Sequence, residues 1–393
     1  MQIKVSQTKR AFGPDLIRAT AIVLVLSSHT FPGGVMFPII GVARDYLGVW
    51  GVEIFFLLSG YLIGGILITD LHEGRLNSVG GVLSFWKRRW FRTLPNYYLF
   101  LCLILLLARL DWGYFPLGWK KYCWFGQALF SPHPEFFMAA WSLAIEEWFY
   151  LLFPILLLVL SKLILKRERA ILAAIAVFLV VPTIARGFLS PDMYWIRGIR
   201  MMTLPRLDAI TYGVFLAFLK NHHAAIWKLL IKIWPIGAIA AAGLFGHACL
   251  HTFFSGHFPS ASVVYRVFYF CFISISLALL FPKVASLTSP TGWWATVIRK
   301  LSLWSYSIYL SHVFFLGLIR ESFSLMGWSL HGGSLALVAR DVLVWLTTIP
   351  FSAMIYKFYE KPWMDLRDQP LKTIFLRFRR GIERWHRRAF VRN

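Results

Sequence analysis

Acidic residues are scarce in this chain: 18 Asp and Glu stand against 41 Lys and Arg in 393 residues, and charged residues of both signs make up only 15%. So little charge, beside 58% hydrophobic residues and a mean hydropathy of +0.63, excludes an ordinary soluble domain and indicates a multi-spanning membrane protein. Cysteine is rare as well. Cys102, Cys123, Cys249 and Cys271 have no metal-ligand spacing, and a disulfide between Cys123 and Cys249, both near the outer side, has no support beyond their placement. Internal repeats, low-complexity linkers and long polar stretches are missing too. The longest polar connections fall over residues 70–92 and 111–140, so any chemistry belongs within the membrane-embedded part or at its faces.

What is abundant is apolar length. Runs long enough to cross a hydrocarbon core of roughly 30 Å as helices recur near residues 13–33, 48–70, 93–110, 141–161, 170–187, 204–220, 229–248, 261–281, 303–323 and 335–357, about ten in all. They lack the alternation of membrane barrel strands, and a backbone amide in lipid must bond within its own segment. The expected fold is therefore all-α, a polytopic membrane helix bundle. The start "MQIKVSQTKR" leads into a span longer than a signal-peptide core with no small-residue cleavage site after it, so the first helix is expected to be retained.

Orientation follows from Lys and Arg. With the N-terminus inside, basic residues crowd the inner segments, among them Lys4, Lys9, Arg10, Arg75, Lys87, Arg88, Lys162, Lys166, Arg167 and Arg169, whereas the outer loops hold only Arg44, Lys120, Lys121, Arg197 and Arg200. The positive-inside rule then puts both termini in the cytoplasm. This asymmetry accounts for much of the net charge of +23. Spread over successive loops on one side of a membrane, it points to topology and anionic lipid headgroups and away from nucleic acid. Residues 1–360 read as the membrane-embedded domain and 361–393 as a basic cytoplasmic tail, either interfacial or simply solvated, with "RFRRGIERWHRRAFVRN" interleaving aromatics and arginines.

Against this apolar background a few ionisable residues stand out. In "LIRATAIVLVLSSHTF" Arg18 and His29 are eleven residues apart, which brings them within about 20° of the same helix face and separates them by roughly 16 Å in depth. Arg18 can snorkel to headgroups and His29 can be a satisfied interior histidine. The next span, "GVWGVEIFFLLSGYLIGGIL", places Glu53 at a depth like that of His29. Such a carboxylate is either a structural contact between helices or the group that fixes the imidazole tautomer and raises its basicity, as a general base needs.

In "FWKRRWFRTLPNYYL" Arg89 and Arg92 share a helical face and Arg88 points elsewhere. Paired guanidinium forks suit phosphate oxygens, although a positive-inside stop is also Arg-rich. "AAWSLAIEEWFYLLFP" holds Glu146 and Glu147, about 100° apart, of which at least one must face the interior. In "LPRLDAITYG" Arg206 and Asp208 lie on different sides, and each is expected to pair with another helix. His312 falls near mid-membrane in "SYSIYLSHVFFL", where a packed polar role competes with a catalytic one. His247, His251 and His257 allow an i, i+4 metal pair, but without acidic or Cys partners no metal site is expected.

Taken together these motifs resemble, over nearly the whole chain, the acyltransferase-3 family of integral membrane acyltransferases. The resemblance rests on the R-x10-H of Arg18 and His29, on "GVEIFFLLSGYLI", on the R-x-x-R of Arg89 and Arg92 before Pro95, on "WSLAIEEWFYLLFP" with Trp141 and Tyr150, on "RLDAITYG" and on "SYSIYLSH", all in family order. It implies transfer of an acyl group, most often acetyl, from cytoplasmic acyl-CoA to a hydroxyl of a glycan, glycolipid or other acceptor at the outer side. By the same resemblance His29 is the catalytic histidine with Arg18 as its motif partner, and Arg89 and Arg92 lie near the donor. Trp141, Glu146, Glu147, Tyr150, Arg206, Asp208 and His312 are further candidate pocket residues.

Acyl-CoA (acetyl-CoA) is then a co-substrate, no cofactor is tightly bound, the partners are the acceptor and membrane lipids, and the location is a bacterial cytoplasmic (inner) membrane. Many members carry a fused esterase-like domain after the bundle; here acceptor selectivity is expected from the bundle itself. Direct transfer in a ternary complex and a covalent acyl-histidine are both compatible with these residues. The competing class is a transporter or flippase without chemistry, against which stands the lack of paired interrupted helices.

Overall fold

A computed structural model describes residues 11–30, 38–190, 192–193, 195–256, 258, 262–328, 335–367 and 369. Lys4, Lys9, Arg10, His257 and most of the basic tail lie outside the described residues. Among those described, the regular structure is helical throughout: α1 (Phe12–Thr30), α2 (Pro38–His72), α3 (Val79–Trp112), α4 (Ala140–Leu163), α5 (Arg167–Gly187), α6 (Asp208–His222), α7 (Ala224–Lys232), α8 (Trp234–Ser255), α9 (Val263–Ala285), α10 (Trp293–Leu325), α11 (Leu335–Ile355) and α12 (Lys361–Leu366). Short π-helical turns cover Trp195–Arg200 and Tyr356–Glu360.

Each expected span coincides with one of α1 to α6 or α8 to α11. Eight of these helices are long and apolar enough to cross a membrane; α1 and α6 are not among the eight. The sixth span was expected from residue 204, but Pro205 sits in a short turn at Leu204–Arg206 and the helix starts only at Asp208, leaving 15 residues. In α1, Asp15 and Arg18 lower the hydropathy. Both helices pack instead against the two sides of α2. The expected seventh span, 229–248, begins inside α7, which ends at Lys232 and is followed by α8 with Pro235 in its first turn.

Glycine lets α2 sit between these neighbours. A Cβ on Gly60 would strike the carbonyl oxygen of Ile210 on α6, and one on Gly213 would strike that of Leu57 on α2, so the two backbones cross in direct contact. The outer stretch between α3 and α4 is tied down by tyrosine hydroxyls that donate to main-chain carbonyls: Tyr97 to Tyr122 at 2.9 Å, Tyr98 to Cys123 at 2.7 Å and Tyr122 to Phe136 at 2.5 Å. All four cysteines are free thiols. Helices α1, α2, α3, α4 and α10 surround the space in which the ionisable side chains meet.

Candidate active site

A cavity of about 410 Å³ opens among these five helices, walled by Phe55, Phe56, Ile63 and Leu143. It gathers arginines from separate elements: Arg18 of α1, Arg89 and Arg92 of α3, and Arg367 just past α12. Arg18 donates to Ser302 at 3.1 Å and lies 3.7 Å from Asp15, itself held by the Ser302 hydroxyl at 2.7 Å. Arg89 lies over the Tyr150 ring at 5.9 Å, and among the described residues neither Arg89 nor Arg92 has a hydrogen-bond or ion-pair partner. Arg88 turns away to Asp70 at 2.9 Å, which it shares with Arg75. Two half-buried guanidinium groups that face the cavity and are in no ion pair among the described residues suit an anionic ligand.

The adjacent glutamates divide. Glu146 lines the cavity and accepts from the Tyr150 hydroxyl at 3.0 Å, and that hydroxyl also bonds to Ser59 of α2. Glu147 faces α3, where the Thr93 hydroxyl donates to it at 2.7 Å. Glu146 is thus the one that meets the cavity.

Tyr309 also lines the cavity; its hydroxyl sits 2.7 Å from Ser142 and donates to the Ala139 carbonyl at 3.2 Å. Beyond that ring, 5.8 Å away, lies His312, and 5.1 Å further the exposed ring of His29 meets it edge to face. The His29 Nδ1 is 2.9 Å from the Val25 carbonyl, with Ser28 Oγ at 3.0 Å. A carbonyl can only accept, so Nδ1 carries the proton and Nε2 presents its lone pair, with no hydrogen-bond partner among the described residues. His312 repeats the pattern on α10: Nδ1 is 3.1 Å from the Ile308 carbonyl, and the buried Nε2 has no partner.

Glu53 requires a correction. Its two oxygens accept from Arg206 Nη2 at 2.6 and 2.8 Å, and the pair is fully buried. Gly48 packs on Ser28, the neighbour of His29, so Glu53, five residues further along α2, lies about 7 Å deeper. The Val25 carbonyl sets the His29 tautomer, and Glu53 serves as the counter-ion of an arginine that also lies 3.5 Å over the Phe270 ring. Asp208, as its spacing implied, pairs with a different helix: Arg186 of α5 grips both its oxygens at 2.9 and 2.8 Å. Arg206 and Asp208 therefore brace the wall. Trp141 is buried beside Phe56 and carries Arg200 over its face at 4.6 Å.

In sequence Arg200 counts as an outer-loop charge, and Tyr309 stands out only as a neighbour of His312. Arg200 stands in "WIRGIRMMTLPRLD", where its neighbours are Trp, Ile and Met; that apolar setting is the signal that it turns inward. His247 bonds to Tyr265 at 2.5 Å, and among the described residues no three His, Cys, Asp or Glu side chains converge on one point.

A family model described as an acyltransferase domain matches residues 12–357. Among similar proteins, "Putative O-acetyltransferase SACOL0978" of Staphylococcus aureus strain COL is 28% identical over 400 residues, covering 92% of this chain and 58% of that protein. "O-acetyltransferase OatA" of Staphylococcus aureus strain NCTC 8325 is 28% identical over 295 residues, 67% of this chain and 45% of the relative. The chain thus spans about half the length of the curated relatives it matches. No solved structure matches it.

Proposed function

Because this chain belongs to the acyltransferase-3 family of membrane proteins, we propose that it moves an acyl group, acetyl in the simplest case, from acyl-CoA to a hydroxyl of a glycan or glycolipid. The observation that carries this reading is that Arg18, Arg89 and Arg92 line one cavity with Tyr309, behind whose ring stand His312 and then His29. Acyl-CoA is an anionic molecule whose nucleotide would stop at the arginines while its pantetheine arm enters the cavity. Its thioester must meet His29 on the far side of Tyr309, so the Tyr309 ring has to turn aside when the donor is loaded.

His29 then acts as general base. Its Nε2 takes the proton of the acceptor hydroxyl as that oxygen bonds to the thioester carbon, and the Nδ1 bond to Val25 holds the ring in place while positive charge develops. The tetrahedral adduct collapses, the carbon–sulfur bond breaks, and the CoA thiolate regains the proton from the imidazolium. The products are an O-acyl ester and free CoA, by direct transfer. The side of entry follows from the positive-inside rule and makes the donor cytoplasmic; a bacterial cytoplasmic membrane fits that arrangement.

The deciding experiment reconstitutes the purified protein in liposomes with acetyl-CoA and a glycolipid extract, and measures free CoA together with ester formed on the extract. Stoichiometric CoA and ester, both dependent on the extract, support the reading. Movement of a glycolipid across the bilayer without CoA release would replace it with a transporter.

A further inference from the structure

Arg200 enters the bundle from the π-helical turn Trp195–Arg200, on a segment outside the spanning helices. Among the described residues it has one hydrogen bond, from Nη2 to the Gly48 carbonyl at 3.2 Å. Among the described residues Nε is buried without a partner, and no hydrogen bond from Nη1 is seen. Its guanidinium lies flat over Trp141, 4.6 Å from the ring centroid. The carboxylate within its electrostatic reach is Glu53, and both Glu53 oxygens are already committed to Arg206. Two arginines thus share one carboxylate at this level, leaving an uncompensated positive charge in a low-dielectric place. A charge so placed is costly unless something anionic meets it.

Its neighbours say where that anion would be. Gly48, which Arg200 grips, packs so closely on Ser28 that a Cβ on Gly48 would lie 2.9 Å from the Ser28 Cβ. Ser28 in turn contacts His29 Nδ1 at 3.0 Å, and Arg200 lies within electrostatic range of the His29 imidazole. The free face of Arg200 and the free Nε2 of His29 therefore belong to one small region at the end of the bundle away from Arg18, Arg89 and Arg92. The donor phosphates, held by those arginines, are not what Arg200 would meet.

We propose that Arg200 is the oxyanion-stabilising group of the transfer, its Nε–H and Nη1–H bonds holding the thioester carbonyl oxygen. The proposal rests on the acyltransferase reading above. As the acceptor oxygen bonds to the carbonyl carbon and its proton passes to His29 Nε2, the carbonyl π electrons move onto the oxygen, where the guanidinium neutralises them. When the adduct collapses those electrons re-form the C=O bond and the carbon–sulfur pair leaves with the CoA thiolate, which His29 protonates. Trp141 keeps the guanidinium plane fixed and Gly48 anchors its far nitrogen, so no reorganisation is needed when charge appears.

The test compares the full-length protein with Arg200→Gln, Arg200→Lys and Arg200→Ala, each checked for intact folding by its thermal unfolding and by retained binding of desulfo-CoA. Turnover is read as CoA released from acetyl-CoA with the glycolipid extract as acceptor. Arg200→Gln should lower kcat by roughly 10²- to 10³-fold, in the range seen when an oxyanion donor is removed, with the acetyl-CoA KM changed less than about threefold. Arg200→Lys should fall between, and guanidinium ion added to Arg200→Ala should restore turnover several-fold where ammonium does not. Folded variants with kcat near wild type, or a change in KM alone, would overturn the assignment. A wild-type protein that releases no CoA would overturn the acyltransferase reading itself, and this proposal with it.

Discussion

The imidazoles of His29 and His312 meet edge to face, 5.1 Å apart, one from α1 and one from α10, and each sets its Nδ1 against the carbonyl four residues earlier in its own helix. Two helices so pin the same tautomer, yet only His29 is exposed, while His312 is 2% accessible. The roles should separate accordingly. His29→Ala is expected to cut CoA release by about 10²- to 10⁴-fold, the usual worth of a general base. His312→Gln, which removes a ring that supports His29, should cost about tenfold. Steady-state kinetics on both variants checks this, and equal losses would make the pair a single functional unit.

Arg89 and Arg92 face the cavity without hydrogen-bond or ion-pair partners among the described residues, so their removal should be felt by the donor and by little else. The double variant Arg89→Gln, Arg92→Gln is expected to raise the acetyl-CoA KM by tenfold or more while kcat holds within about threefold, because lost phosphate contacts weaken ground state and transition state alike. Thermal stability should barely move, since neither guanidinium is part of an ion pair. An unchanged KM would leave these arginines as anchors of topology.

Glu53 offers a sharper contrast. If it braces Arg206, then Glu53→Gln leaves a buried guanidinium uncompensated and should destabilise the protein by about 3–5 kcal/mol. The double variant Glu53→Gln, Arg206→Met removes the charge as well and should recover most of that loss, together with activity. Thermal unfolding in detergent and CoA release measure the two. A stable double variant without activity would return Glu53 to the chemistry.

These cases show what a single sequence can convey. The shared stripe of Arg18 and His29 was legible because it depends only on helix geometry, and so was the outward turn of Arg88 from Arg89 and Arg92. The partner of Glu53 was not, because the sliding of α2 along α1 is set where Gly48 and Gly51 let backbones touch, a matter of tertiary contact. Which of Glu146 and Glu147 meets the cavity likewise depends on the rotation of α4 against α3. Arg200 was read as a loop charge because a π-helical turn gives no periodic signal. The start of α6 was misplaced by a few residues, since apolar runs hide a turn at Pro205.

Outside the spanning helices, His133 sits 1% accessible in the stretch between α3 and α4, its Nδ1 donating to the Pro134 carbonyl at 2.6 Å. Burial, with Arg197 nearby, pulls its pKa from 6.5 to about 4. Between those values the unfolded chain binds a proton that the folded one refuses, so stability should be full above about pH 6.5 and decline as pH falls toward about 4. The loss is at most about 3 kcal/mol. His133→Gln should flatten the dependence of the unfolding temperature on pH across this window, and an unaltered slope would assign it to other groups.

Tyr309 lines the cavity between its arginines and the His312 ring, with the Ser142 and Ala139 bonds holding its hydroxyl. In this position it separates the donor compartment from the base. A thioester beside an open path to Nε2 is exposed to water, which competes with the acceptor hydroxyl for the same carbonyl. Tyr309→Phe keeps the ring and loses only the two hydroxyl bonds, worth about 1 kcal/mol each, so transfer should persist with a modest fall. Tyr309→Ala removes the wall. Acceptor-independent CoA release should then rise several-fold while ester formed per CoA consumed falls. Both quantities come from one assay that follows free thiol and acylated product together. If Tyr309→Ala lowers hydrolysis and transfer in equal proportion, the ring positions the reacting groups and does not serve as a water barrier.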